Sequence, residues 1–247
     1  MVSEITSGCA IMNRMPAWNK GLTKESNASL RKTSETMRSK RLDNFKQWRD
    51  RMRQEGSIKS SYPALVKNGD LAELIGIVLG DGHIHKHERC ESLRIVGDAK
   101  KMGFVDRSAA LVYSVFGKQP KVANRKSSDG VNITFYEKNI SKRLNIPTGS
   151  RAQYEFTLPP WIERSKKYKI RFLRGLYEAE GSLSHSPATY THKFIFANMN
   201  KYLLDLVARL VRELGFTVYV SAKQVQVSRK AEVQKLSDLI QFRHYSA

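Results

Sequence analysis

Residues 74–82 read Leu-Ile-Gly-Ile-Val-Leu-Gly-Asp-Gly, and residues 173–181 read Leu-Arg-Gly-Leu-Tyr-Glu-Ala-Glu-Gly. Each stretch carries small residues four apart: Gly76 and Gly80 in the first, Gly175 and Ala179 in the second. Each ends in an acid followed by glycine, Asp81-Gly82 and Glu180-Gly181. Gly76, Asp81 and Gly82 recur as Gly175, Glu180 and Gly181 at a constant offset of 99 residues. An offset held at three positions marks an internal repeat, and a repeat outranks local patterns in deciding a fold.

Read as helices, these stretches place their small residues on one face, where a partner helix can come close. Gly76, Gly80, Gly175 and Ala179 are therefore expected at a helix–helix interface. The closing glycines, Gly82 and Gly181, are expected to supply left-handed C-terminal caps. An acid just before such a cap sits at the negative end of the helix dipole, which disfavours it. Two such acids on touching helices need a cation, and hard carboxylate oxygens suit Mg²⁺.

Both stretches resemble the motif that names the LAGLIDADG homing endonucleases, in the single-chain form with two motif copies. Asp81 and Glu180 fall on the motif's acidic position beside its last glycine. Leu79 departs from the pattern, which has a further acid there; Glu178 keeps one, and this inner position is not the pattern's metal ligand. The resemblance implies that Asp81 and Glu180 are catalytic. With their neighbours Gly80 and Ala179 they would hold Mg²⁺ (or Mn²⁺). It also implies basic or amide residues around the scissile phosphates, for which Lys100, Lys101 and Lys201 are second-tier candidates.

Composition agrees with a polyanionic partner. The 247 residues carry 43 Lys and Arg against 23 Asp and Glu, a net charge of +20. Such a balance favours nucleic acid. With a mean hydropathy of −0.48 and no long apolar run, no transmembrane span or membrane role is expected. The two cysteines, Cys9 and Cys90, are too few for a disulfide framework or a zinc site. They fit a reducing, DNA-containing compartment, and the N-terminus shows no secretory core.

Residues 1–60 differ from the rest. They are rich in Ser, Asn, Lys and Arg and hold about a third of the net charge. The run Pro16-Ala17-Trp18-Asn19-Lys20-Gly21-Leu22-Thr23 resembles a short nuclease-associated DNA-binding repeat. Basic helices are expected after it, over 26–41 and 44–54. This extension is read as DNA-contacting.

From residue 61 to 146 the pattern is one repeat. After the motif helix come strands at 83–87 and 92–96, then a helix over 100–116 between Asp98 and Gly117. Strands at 120–125 and 131–136 and a short helix over 140–144 complete it. Residues 147–165, with three prolines, read as a linker. Residues 166–247 replay the order: motif helix, strands 182–185 and 190–196, helix 201–214, strands 217–221 and 224–228, helix 231–242. The expected fold is a mixed α/β (α+β) chain of two pseudo-symmetric αββαββα repeats. Their antiparallel sheets would form a DNA-binding saddle, with a basic N-terminal extension.

Along the strands, apolar residues alternate with polar ones, so one sheet face packs under helices and the other stays free. The free faces would carry Arg94, Lys121, Arg125, Asn132 and Tyr136 in the first repeat. In the second they would carry Lys193, Tyr219, Lys223, Gln224, Gln226 and Arg229. Amides and guanidinium groups can read base edges in a major groove that admits a β-ribbon. His83, His85 and His87 alternate along one strand. With no matching ligand set in the second repeat, they read as a DNA-facing edge rather than a metal site.

The function expected is site-specific cleavage of both strands of a long double-stranded DNA target by divalent-metal-dependent phosphodiester hydrolysis. Two motifs in one chain imply a monomer, intron-encoded or free-standing. Two alternatives share the fold. One is a maturase bound to its own intron RNA; the other is a catalytically silent, sequence-specific DNA-binding protein.

Overall fold

The computed structural model describes residues 19–43, 45–125, 128–243 and 245. Trp18 and Cys9 lie outside the described residues. The chain divides into two compact units, residues 1–61 and 62–247.

In the first unit, α1 (Ala28–Ser39) starts at Asn27, whose side chain accepts hydrogen bonds from the Ser29 and Leu30 amides at 3.0 and 3.1 Å. This cap satisfies two donors that a helix start leaves unpaired, so the helix begins two residues later than expected from Ser26. A second helix, α2 (Lys46–Gln54), follows, and neither helix buries a residue. Phe45 and Trp48 stay exposed among the basic side chains.

The second unit opens with α3 (Gly69–Gly80), capped by Asn68 through the Leu71 amide at 2.9 Å. It leads into β1 (Gly82–Lys86) and β2 (Glu91–Asp98). Asp98 accepts from the Lys100 amide and starts a 3-10 turn (Ala99–Lys101), so the regular helix α4 (Met102–Phe116) begins beyond Lys100. It ends at Gly117 in the left-handed conformation, φ 69°. Next come β3 (Lys121–Asn124), β4 (Gly130–Glu137) and the short α5 (Ile140–Leu144). The proline-rich connection contains one helical turn, α6 (Pro160–Glu163), whose proline occupies the first turn, where no amide is needed.

The second repeat runs α7 (Lys166–Glu180), β5 (Gly181–Ser186), β6 (Thr191–Ala197), α8 (Lys201–Glu213), β7 (Tyr219–Val220), β8 (Gln224–Val227) and α9 (Lys230–Ile240). Two of its strands depart from the expected ranges, β7 by being shorter and β6 by a shift of one residue. The backbone and hydroxyl of Thr217 donate to Glu232 of α9 at 2.7 and 3.2 Å, which keeps Thr217 out of the ladder. Tyr190 ends a 3-10 turn in the left-handed conformation, so β6 begins at Thr191.

The two sheets have the same plan. Both are open, four-stranded and antiparallel, ordered β1-β2-β4-β3 and β5-β6-β8-β7. Ile84, Leu93 and Phe135 align across the first sheet on its helix-covered face; Leu183, Phe194 and Val227 align across the second. Phe135, Phe172, Tyr177, Phe194 and Phe196 are among the largest fully buried side chains, so one aromatic-rich core runs beneath both sheets.

The closing glycines of the motif work differently from the expected left-handed caps. Gly181 has φ −90°, and Gly82 is likewise absent from the positive-φ glycines. The chain passes straight from helix to strand, and a Cβ on Gly82 would sit 2.6 Å from Val78 Cα. On Gly181 it would sit 2.3 Å from the Tyr177 carbonyl. Glycine is needed here for close approach rather than for handedness.

Candidate active site at the paired helix ends

The site is built where α3 and α7 cross. A Cβ on Gly76 would lie 2.3 Å from the Phe172 carbonyl oxygen, and one on Gly175 would lie 2.1 Å from that of Glu73. Backbone therefore packs on backbone at the crossing. At the C-terminal ends, a Cβ on Gly80 would be 2.6 Å from Ala179 Cβ and 3.0 Å from Glu180 Cγ. The two helices touch at the turn that carries Asp81 and Glu180.

Electrostatics record that proximity. Burial pushes the Asp81 carboxyl up to about 7; the Glu180 charge adds to the rise and Lys101 opposes it. Burial also raises Glu180, whose Oε1 accepts from Asn198 Nδ2 at 3.3 Å. No described cation forms an ion pair with either acid. Helix ends also leave their last carbonyls without intrahelical donors, and these include Gly80 and Ala179. Two desolvated carboxylates beside two carbonyl-rich helix ends make a hard oxygen donor set. Donors of this kind suit a divalent cation such as Mg²⁺ or Mn²⁺.

The three lysines part company. Lys101 lines a cleft of about 460 Å³ together with Asp81, Asp98, Glu178 and Ala179. Lys100 instead faces Asp129, with Nζ 3.6 Å from its carboxylate. Lys201 is exposed in the first turn of α8 and lines neither cleft beside the acids.

On the open face of the first sheet, His83, Arg94, Thr134 and Lys121 form one row across all four strands. Arg94, Lys121, Arg125 and Tyr136 are exposed, and Arg125 Nε donates to Asn132 Oδ1 at 3.2 Å. The His83 and His85 rings are 6.4 Å apart and those of His85 and His87 are 4.5 Å apart. His87 Nε2 meets Ser92 Oγ at 2.9 Å. In the second sheet, Tyr219 and Gln226 share a row with Ser182 and Ile195, Lys193 lies opposite Ser184, and Gln224 lies opposite Ala197. Lys223 is exposed in the turn between β7 and β8. Arg229 lies beyond β8 as the cap residue of α9 and pairs with Glu232 at 3.1 Å.

A further charge network centres on Glu73, which precedes the first motif stretch, and takes in Glu178 of the second. The fully buried Glu73 accepts from Arg107 at 2.9 and 3.1 Å. It also pairs with Arg171 at 2.7 Å, Arg243 at 3.2 Å and Arg174 at 3.6 Å. Those guanidinium groups hold its carboxyl below the usual range despite burial. Glu178 pairs with Arg243 and accepts from Tyr245 Oη at 2.9 Å, yet burial raises its carboxyl. The signal available in sequence was Glu73 itself, a charge inside the apolar run from Leu71 to Leu79.

Residues 167–241 match the family model described as LAGLIDADG-like domain. The fold is similar to the N-terminal LAGLIDADG domain of WhiA, at 14% identity and a TM-score of 0.52, covering 74% of this chain and 88% of that one. The homing endonuclease I-DmoI in complex with DNA and Mn aligns at 20% identity and a TM-score of 0.47, over 71% of this chain and 98% of that one. Among curated proteins, the tRNA-splicing ligase RtcB of Methanopyrus kandleri is 24% identical over 194 residues, 69% of this chain. The chain spans about a fifth of that ligase's length, the aligned part being 19% of it.

Proposed function

We propose that this chain, a member of the LAGLIDADG family, is a site-specific endonuclease that cuts both strands of a long DNA duplex with divalent metal. The observation that carries the reading is the pair of desolvated, mutually repelling carboxylates, Asp81 and Glu180, on helix ends that touch. A fold alone supports no activity, so the site has to carry it.

In this reading Asp81 and Glu180 ionise to hold the metal, each nearer one scissile phosphate. A divalent metal held there would supply an activated water and offset charge on the leaving oxygen. Lys101 adds positive charge beside Asp81, and Asn198 orients the Glu180 carboxylate. The open sheet faces, led by Arg94, Lys121, Arg125, Gln224 and Gln226, read the groove. The basic residues of 1–60 add phosphate contacts outside the core footprint. The two repeats lie in one chain, so a monomer suffices.

The test is to incubate the protein with a plasmid carrying the DNA that flanks its reading frame, joined as if the frame were absent. The expected result is linear plasmid with Mg²⁺ or Mn²⁺ and intact plasmid with chelator. Tight binding without cleavage in either metal would favour a silent DNA-binding protein. Selective binding of the flanking RNA in place of the duplex would favour a maturase.

A further inference from the structure

The linker that leads into the second repeat carries an unused backbone edge. Residues 154–159 belong to no helix or strand, yet their burial alternates: Glu155 and Thr157 are exposed, Phe156 and Leu158 buried. That is the pattern of a strand with one face on the core. Phe156 fixes it there, its ring stacked on that of Phe172 in α7 with centroids 6.1 Å apart.

Both ends of this segment are pinned. The Tyr154 amide donates to the Arg151 carbonyl at 3.0 Å, and the Tyr154 carbonyl accepts from Asn200 Nδ2 at 2.7 Å. The Pro159 carbonyl accepts from the amides of Ile162 and Glu163 at 2.9 and 3.0 Å. Between these points, no amide or carbonyl of Glu155, Phe156, Thr157 or Leu158 makes a backbone hydrogen bond among the described residues. An extended segment that is held in place and unpaired is a template for an added strand.

A groove of about 690 Å³ runs along the segment, and α8 supplies Tyr202, Asp205, Leu206 and Arg209 to its lining. Its charges are mostly carboxylates, against the trend of a chain with net charge +20. Arg209 is tied to Glu163 at 2.6 Å and to Glu213 at 2.7 Å. Glu155 and Asp205 are exposed, and no described cation forms an ion pair with either. Free carboxylates repel phosphates and attract cationic side chains, so the groove suits a basic peptide and not a nucleic acid.

We propose that this groove binds an extended peptide of a partner protein, added as a strand along Glu155 to Leu158, with basic side chains alternating with apolar ones. Main-chain hydrogen bonds to the segment supply affinity. Glu155 and Asp205 select Lys or Arg, and Tyr202 and Leu206 receive the apolar side chains. The groove includes neither Asp81 nor Glu180, so the inference is independent of the DNA-cleaving reading.

The probe is a fluorescein-labelled Lys-Val-Lys-Val-Lys-Val-Lys peptide, titrated with the full chain and followed by anisotropy. Saturable binding is expected, and hydrogen exchange at the amides of Glu155 to Leu158 should slow once the peptide is bound. Glu155→Lys combined with Asp205→Lys, both exposed, should weaken binding on the order of tenfold. Thr157→Pro, which removes one amide from the edge, should weaken it about fivefold. An N-methylated peptide of the same sequence keeps its charge, loses its donors and should not bind. Absence of saturable binding by the unaltered protein would overturn the proposal, as would equal binding of the N-methylated peptide or an unchanged affinity in the charge-reversed protein. Should Thr157→Pro fail to fold, the charge-reversed protein and the N-methylated peptide decide alone. Two other occupants would also overturn it. Slowed exchange of the same amides by duplex DNA or RNA and not by peptide would assign the groove to nucleic acid. A dimer of the unaltered protein, lost in the charge-reversed one, would assign it to a second copy.

Discussion

The motif helices α3 and α7 are copies in outline and opposites in chemistry. Both carry glycine at the crossing, an acid at the end and glycine at the turn into a strand. Those positions coincide because backbone contact leaves no room for a side chain there. Elsewhere the copies differ. α3 buries nearly its whole length and holds one fully buried charge, Glu73, besides Asp70 in its first turn, whereas α7 brings Arg171 and Arg174 to meet Glu73. A charge on one copy is answered by charges on the other, which two identical helices related by a twofold axis could not do in this form. The comparison teaches that fusion of two repeats in one chain permits complementary partners at a shared interface.

The largest expected effect breaks that complementarity. Glu73→Gln leaves four arginines facing one another around an amide, and removing one partner of a buried ionic cluster costs about 3–5 kcal/mol. Urea unfolding should show a lower midpoint of that size. Glu178→Gln should cost clearly less, because Glu178 pairs directly with Arg243 and Tyr245 among the described residues and is already raised by burial. Equal losses from the two changes would mean that Glu73 is no hub.

A smaller effect concerns pH. The folded protein keeps Asp81 protonated up to about pH 7, whereas an unperturbed aspartate ionises near 3.8. The native state therefore binds the extra proton between those values. Stability from this group is complete below about pH 4 and is lost as pH rises through about 7. In chelator, Asp81→Asn should melt above the unaltered protein at pH 8, with the gap closing near pH 4. A pH-independent gap would place Asp81 in solvent and away from Glu180.

The smallest effect lies outside the core. Removing residues 1–60 should make DNA binding less salt-dependent while leaving site preference alone, because phosphate contacts carry no sequence information. A changed preferred sequence, read by selection from random duplexes, would show that these residues read bases.

Much of the fold was legible because its signals are local. Period-two alternation marks β4 and β8, the 99-residue offset marks the repeat, and Asn or Gly residues punctuate the helices. Losses came where a distant group intervened, as when Glu232 captured Thr217 and shortened β7. Gly82 and Gly181 read as caps because glycine signals both handedness and close approach, and only a neighbouring backbone distinguishes them. At the site, spacing could place the acids at helix ends. It could not find the meeting of Glu73 with Arg243 across 170 residues. Contacts of that separation leave no period in a sequence.

The paired carboxylates are tested most directly by Asp81→Asn combined with Glu180→Gln. The amides nearly preserve shape, are poorer ligands for a hard cation, and remove repulsion between the acids and toward phosphates. On a plasmid carrying the target, in Mg²⁺, nicked and linear products should both vanish, while binding to the same site in chelator holds or tightens. Undiminished linearisation by the double variant would contradict the catalytic assignment, and loss of binding together with cleavage would make the two acids structural.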